Sequence, residues 1–236
     1  MAVYSDVAVV IRTYKLGEAD KIIVLYTLGR GKVRAVAKGV RRTKSKFGSR
    51  LEPGSIVKIQ LYEGKNLDTI TQVERTHILT NQREDMGLYT RYALMLETLD
   101  RFTEDGDKNP AMYKLVTRAL KEFDRTGNPL VVSAFVAKML ALDGVQPRVD
   151  SCVNCSSEHN LVAFQLSEGG VTCRDCRRGQ NVSPEVLKAL RKVYEGKVRE
   201  MLDTTPDIVI YELEALAAQM VEQHTEQRLK SRISFV

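Results

Sequence analysis

Arg30-Gly31-Lys32-Val33-Arg34-Ala35-Val36-Ala37-Lys38-Gly39-Val40-Arg41-Arg42-Thr43-Lys44-Ser45-Lys46-Phe47-Gly48-Ser49-Arg50 holds nine Lys and Arg and no Asp or Glu. Its first part alternates. Val33, Ala35 and Ala37 fall on one side of an extended chain, and Arg34, Val36 and Lys38 on the other, which is the period of a strand. From Gly39 the alternation stops, and a long basic loop runs to Pro53. Such a density of like charge repels itself, so it calls for a compensating partner. A polyanion is that partner, because phosphates neutralised by Lys and Arg release condensed counterions and bind in a salt-sensitive way. The competing reading is a solvated face that only keeps the chain soluble.

The strand pattern continues on both sides. Val7, Val9 and Ile11 alternate with Ala8 and Val10, Lys21 to Thr27 is rich in β-branched residues, and Ser55 to Tyr62 and Leu67 to Val73 repeat the pattern. Leu28-Gly29-Arg30-Gly31 suits a hairpin between the second and third strands. Five short strands within residues 1–80 predict a small barrel of the oligonucleotide-binding (OB) type, with an SH3-like barrel as the alternative on pattern alone. Single-strand binders stack bases on aromatic rings set in a basic groove, and Tyr14, Tyr26, Phe47 and Tyr62 fall in this region. Tyr26 and Tyr62 lie in strands, where core is an equal reading. Phe47 sits in the basic loop without an obvious apolar partner and is the stacking candidate. The candidate DNA-binding set is Arg12, Arg30, Lys32, Arg34, Lys38, Arg41, Arg42, Lys44, Lys46, Phe47 and Arg50.

Beyond about Gln82 the period becomes helical. Leu88, Tyr92, Met95, Leu96 and Leu99 form one stripe, Met112, Leu115, Val116, Ala119, Leu120 and Phe123 a second, and Val132, Phe135, Val136, Met139 and Leu140 a third. Asn109-Pro110, Asn128-Pro129, Ser183-Pro184 and Thr205-Pro206 each place a capping side chain before a proline, and Gly106, Gly127, Gly144 and Gly196 stand where helices end. The last long helix is expected near Asp207 to Leu229. The expected fold is therefore α+β: a barrel domain over residues 1–80 and a helical domain over 81–236. The polar passage at 76–84 is short, so the two are expected to pack together.

Cys152-Val153-Asn154-Cys155 and Cys173-Arg174-Asp175-Cys176 stand 17 residues apart. Two such pairs can place four thiolates at the corners of a tetrahedron, the arrangement of a closed, structural Zn²⁺ site. Leu161 to Val171 reads as a hairpin between the pairs, which makes residues 150–180 a zinc-finger insertion holding one ion. A redox pair, a disulfide or a site that has lost its metal are the competing readings. His159 is a bystander, and Arg174, Arg177 and Arg178 divide evenly between phosphate contact and solvated surface.

Of the 236 residues, the first 80 carry 15 Lys and Arg against 7 Asp and Glu, whereas the whole chain carries 36 against 30. A polyanion therefore meets the N-terminal part first. The sequence suggests neither signal peptide nor membrane span, and unpaired thiols in this pattern suit a reducing cytoplasm. No phosphate-binding glycine loop, His-Glu-x-x-His or nucleophile elbow occurs. Glu104, Asp105 and Asp107 read as a loop between helices, and His77 and His224 as structural, without a visible nucleophile or carboxylate partner. A non-enzymatic role is expected, with a protein-interaction scaffold that touches DNA incidentally as the alternative.

Several of these segments also resemble one family. Val10-Ile11-Arg12, Gly17-Glu18-Ala19-Asp20, Gly31-Lys32, Val36-Ala37-Lys38-Gly39-Val40-Arg41 with Ser45, and Leu51-Glu52-Pro53 are similar to the N-terminal signature of the bacterial RecO recombination mediators. The likeness continues through Phe135 to Leu142, Gly144, Pro147, Asp150, Phe164, Gly169-Gly170 and Leu229-Lys230-Ser231-Arg232. It covers nearly the whole chain, although residues 80–126 match only in helical character. Val40 and the Arg228 region depart slightly from the pattern. The resemblance implies an OB-fold domain, a helical domain and an inserted zinc finger. It implies binding of single- and double-stranded DNA, annealing of complementary strands, and action with RecR to help RecA displace single-stranded-DNA-binding protein. It also implies a cytoplasmic, nucleoid-associated setting.

Overall fold

The computed structural model describes residues 2–77 and 85–231. Five strands form the N-terminal part: β1 (Val3–Leu16), β2 (Asp20–Thr27), β3 (Gly31–Ala37), β4 (Ile56–Tyr62) and β5 (Asp68–His77). They close into a barrel in the order β1-β2-β3-β5-β4, with β4 returning to β1. All neighbours are antiparallel except β3 and β5, which pair in parallel only through Ala35 with Asp68 and Val36 with Thr69. This is the OB arrangement, and the SH3-like alternative falls away.

The alternation read from the sequence lines the barrel with Ala8, Val10, Ile23, Leu25, Ala35, Ala37, Val57, Ile59, Leu61 and Ile70. Two residues of the basic loop complete this core. Phe47 and Leu51 are each 2% exposed and belong to the same cluster. The cluster holds three small side chains, Ala8, Ala35 and Ala37, and so has need of a large one. Phe47 supplies it. The expectation of an exposed Phe47 ring in the DNA-binding set is thus corrected: burial of a phenyl ring stabilises by about 1.5–3 kcal/mol, and the loop obtains it by folding inward. Leu51 ends a short 3₁₀ turn, Gly48–Leu51.

One irregularity decides which side chains leave the barrel. Val10 pairs with Leu25 and Arg12 with Val24, so Ile11 is an extra residue, a bulge in β1. Because side chains alternate, one inserted residue reverses the facing of all that follow. Arg12 and Tyr14 would otherwise point inward with Ala8 and Val10; they point outward instead.

The helices are α1 (Met86–Phe102), α2 (Pro110–Thr126), α3 (Leu130–Leu142), α4 (Pro184–Tyr194), α5 (Val198–Thr204) and α6 (Ile210–Thr225). Asn109 Oδ1 accepts from the Met112 N–H at 3.0 Å and Asn128 Oδ1 from the Leu130 N–H at 2.9 Å, while Ser183 caps α4 ahead of its proline. Thr205 behaves differently. It ends α5, its hydroxyl donating to the Met201 carbonyl, and Pro206 leads into a 3₁₀ turn at Asp207–Val209. The last helix therefore starts at Ile210 and stops where Glu226 turns left-handed with φ of 52°, short of Leu229.

The chain divides into two compact units: Met1–Tyr89 with Leu96–Arg125, and Thr90–Met95 with Thr126–Val236. The expected boundary at residue 80, with most of the polar passage, lies outside the described residues. In the second unit α3 is apolar on every side and buried almost throughout, so it is the central element, with α4, α5 and α6 packed against it. The cysteine segment adds β6 (Leu161–Gln165), β7 (Gly170–Cys173) and β8 (Gln180–Asn181) in the order β7-β6-β8, a hairpin with a short third strand that the sequence did not suggest. No helix among the described residues is long and apolar enough to cross a membrane.

Candidate nucleic-acid interface and metal centre

The outer face of β1, β2 and β3 is built from three cross-strand rows: Val9, Tyr26 and Lys32; Arg12, Val24 and Arg34; and Tyr14, Ile22 and Val36. The first row is covered. The connection between α1 and α2 lies along it, with the Gly106 N–H donating to the Lys32 carbonyl at 2.9 Å and the Tyr26 hydroxyl to the Asn109 carbonyl at 3.4 Å. The approach is tight. Gly31 has φ of +66°, and a Cβ there would lie 1.9 Å from the Asp107 carbonyl oxygen, so only glycine fits. Burial, with the Asp107 charge nearby, pushes the Tyr26 phenol up to about 12.

The end of α1 and this connection bring carboxylates onto the strand cations, Asp100 from the helix and Asp105 from the connection. Lys32 is 8% exposed and its Nζ donates to both the Asp100 carbonyl at 2.6 Å and its Oδ1 at 3.2 Å. Stranding one charge of such a pair costs about 3–5 kcal/mol, so Lys32 holds the fold together rather than waiting for a ligand. Arg12 reaches Asp100 Oδ2 at 2.7 Å and donates to the Tyr14 hydroxyl at 3.0 Å. Burial lowers the Arg12 pKa, but the bond to Tyr14 and the Asp100 charge outweigh it and the net shift is upward. Arg34 meets Asp105 at 3.1 Å, with both side chains more than half exposed. Arg30 lies 3.6 Å above the Tyr4 ring and 3.1 Å from Glu63 Oε1. The acidic residues between the helices thus include a counter-ion for the barrel, a pairing across some 70 residues of chain that no local signal announces.

The loop after β3 differs. Lys38, Arg41, Arg42, Lys44, Lys46 and Arg50 are all exposed, and none has a carboxylate partner among the described residues. Three of them are tethered through neutral carbonyls: Arg41 to Gly17 at 3.1 Å, Lys46 to Thr71 at 3.0 Å and Arg50 to Lys46 at 2.7 Å. These bonds position the charge without cancelling it. The candidate set therefore separates into four ion-paired cations, Arg12, Arg30, Lys32 and Arg34; six cations with uncompensated charge; and Phe47, which anchors the loop from inside. Among the other aromatics Tyr26 is core, while Tyr14 and Tyr62 are 46% and 40% exposed.

His77 and His224 have acidic neighbours after all, with His77 Nε2 3.2 Å from Asp124 Oδ2 and His224 Nε2 2.8 Å from Asp143 Oδ2. His77 stands at the end of β5 and His224 on α6.

In the second unit the Cys152, Cys155, Cys173 and Cys176 sulfurs lie within 4.8 Å of one another. The first pair sits on a turn closed by the Ser156 N–H donating to the Cys152 carbonyl at 2.9 Å, and the Val153 N–H ties that turn to Val171 on β7 at 2.9 Å. Tetrahedral sulfurs bonded at about 2.3 Å to a central ion stand about 3.8 Å apart, and Cys155 Sγ and Cys173 Sγ are 3.7 Å apart. The cage fits a metal ion of that size. Its thiols are unequal: against the burial that would raise it, backbone N–H groups of Cys173, Cys155 and Asn154 draw Cys152 down to about 6, whereas hydrogen bonds from Cys155 and Cys173 push Cys176 up to about 12. His159 stands outside this cluster.

Two family models match the chain. The model described as the N-terminal domain of recombination protein O matches residues 1–79, and that of its C-terminal domain matches residues 83–233.

Proposed function

The chain belongs to the recombination protein O family, and we propose that it acts as a mediator that binds single- and double-stranded DNA and anneals complementary strands. With RecR it helps RecA replace single-stranded-DNA-binding protein. The observation that carries this reading is the loop from Lys38 to Arg50, whose six exposed cations have no carboxylate partner among the described residues. A charged loop pinned by a buried Phe47 and Leu51 presents its cations at fixed places. Phosphates arriving there release counterions, and two backbones neutralised at once repel one another less. Strand meeting then speeds up with no covalent step and no nucleotide hydrolysis. The setting proposed is the cytoplasm, at the nucleoid.

Zn²⁺ is the ion proposed for the thiol cage. Four sulfur donors fill a tetrahedral shell and leave no position for water, so the ion braces the β6–β7 hairpin rather than activating a nucleophile.

The test is a salt titration of oligonucleotide binding, followed by annealing of labelled complementary strands without ATP. Replacing Lys38, Arg41, Arg42, Lys44, Lys46 and Arg50 together by Ala is expected to weaken binding for every sequence. It should flatten the slope of log affinity against log salt by up to about 4 on single strands, since each contact contributes about 0.7, and abolish annealing. An unchanged slope would overturn the reading.

A further inference from the structure

The outer face of β1–β3 grades from covered to open. Its first row is closed off by the connection between the helices, its second is occupied by ion-paired arginines, and over its third, Tyr14, Ile22 and Val36, no segment is seen among the described residues. Tyr14 is 46% exposed there, and Ile22 and Val36, next to it in the same row and on the same face of the sheet, are half-buried. The ring is on this face only because Ile11 is inserted into β1. Its edge is fixed: the Arg12 guanidinium donates to the Tyr14 hydroxyl at 3.0 Å while being held by Asp100 at 2.7 Å. On the β3 side Lys38, two residues after Val36, is exposed and has no carboxylate partner among the described residues, and the cationic loop continues directly from it, while Arg34, two residues before Val36, is paired with Asp105.

We propose that Tyr14, set on the Ile22 and Val36 row, is the platform on which a base of single-stranded DNA stacks. A ring held at its hydroxyl and bare over much of its surface loses little freedom on binding a base, and stacking suits any base because each has a π face. The uncompensated charge of Lys38 and of the loop that continues from it identifies the occupant, since it matches the phosphates flanking a stacked nucleotide and would repel a basic partner. A duplex keeps its bases stacked on each other, so it gains nothing from Tyr14 and is held by the loop alone. Tyr14 is thereby the residue that separates single-strand from duplex affinity. This inference rests on the DNA-binding reading above and adds to it a site that the loop cations do not supply.

The chain contains no tryptophan, so Tyr14→Trp installs a single fluorescent reporter. Titration with oligo-dT is expected to quench it and titration with a short duplex to leave it unquenched, while Tyr62→Trp, on β4, stays unquenched by both. In parallel, Tyr14→Ala should lower oligo-dT affinity about tenfold, within the range for one lost stacked base. It should leave duplex affinity and the salt slope as in the parent, and Tyr14→Phe should retain most of the single-strand affinity. Equal loss on both DNA forms would mark Tyr14 as a brace for Arg12 and overturn the proposal, as would no loss at all, or quenching by duplex. If the parent protein binds no oligonucleotide in dilute salt, both the DNA-binding reading and this one fall. If it binds with a steep salt slope but ignores the Tyr14 changes, only this one does.

Discussion

Phe47 shows how little a side chain's neighbours in sequence say about where it goes. Lysine, serine and glycine surround it, so composition puts it on the surface, yet it is 2% exposed among barrel residues tens of positions away. What buries it is the barrel core, a cluster that gathers residues from all five strands and exists only once the whole barrel has formed. Its role is therefore measurable as stability. Phe47→Ala is expected to cost about 3–5 kcal/mol, the range for truncating a buried phenylalanine, a large share of the 5–15 kcal/mol typical of a domain. Urea denaturation checks this. Phe47→Leu, which keeps most of the volume, should fold and bind oligonucleotides within about twofold of the parent. A ring that stacked on bases would give the reverse, full stability and lost affinity. Lys32 and Asp100 carry the same lesson in charge: the lysine is legible in the sequence, but the carboxylate that occupies it is 68 residues on.

At the scale of elements, what was legible is what is settled locally. The strands show because alternation is a property of adjacent residues, and the helices because their stripes are. The bulge at Ile11 does not show, since Val7 to Ile11 is apolar on both faces and an inserted residue becomes visible only against the register of β2. The two Cys-x-x-Cys turns show fully, because each turn fixes its own two sulfurs and a short hairpin brings the pairs together. That element also has a pH dependence. A metal binds thiolates, so each bound ion displaces whatever protons the free cage holds. With Cys152 drawn down to about 6 and Cys176 pushed up to about 12, the free cage at neutral pH has lost its first proton and keeps its last. Affinity for Zn²⁺ must then rise with pH across the neutral range and fall more steeply below about 6, where Cys152 also takes up its proton. Competition against a chromophoric chelator at pH 5.5, 7 and 8.5 measures it. A flat profile would mean that the thiols are not the donors.

For the molecule as a whole, the two chemistries are carried by different compact units. Every cation assigned to DNA lies in Met1–Tyr89, and all four cysteines lie in Thr126–Val236. The barrel core contains no cysteine, and the hairpin that β6 and β7 make is tied to Arg148 and Val153, residues of its own unit. Removing the proposed ion is therefore expected to withdraw support from the unit that holds the cysteines and to leave the loop of Lys38 to Arg50, with its Phe47 anchor, as it was. A chain of this size with two cores is also free to unfold in more than one step, so a single transition is not to be assumed. The expected result of stripping the metal with a chelator is a calorimetric trace in which one transition moves down by several degrees and the other stays. In oligonucleotide titrations at a temperature below both, the salt slope should match that of the metal-loaded protein. Cys173→Ala should reproduce both results without a chelator. Were the slope to fall with the metal, the thiol cage would have to be counted among the parts that hold DNA, and the exposed Arg174, Arg177 and Arg178 beside it would be the next residues to replace.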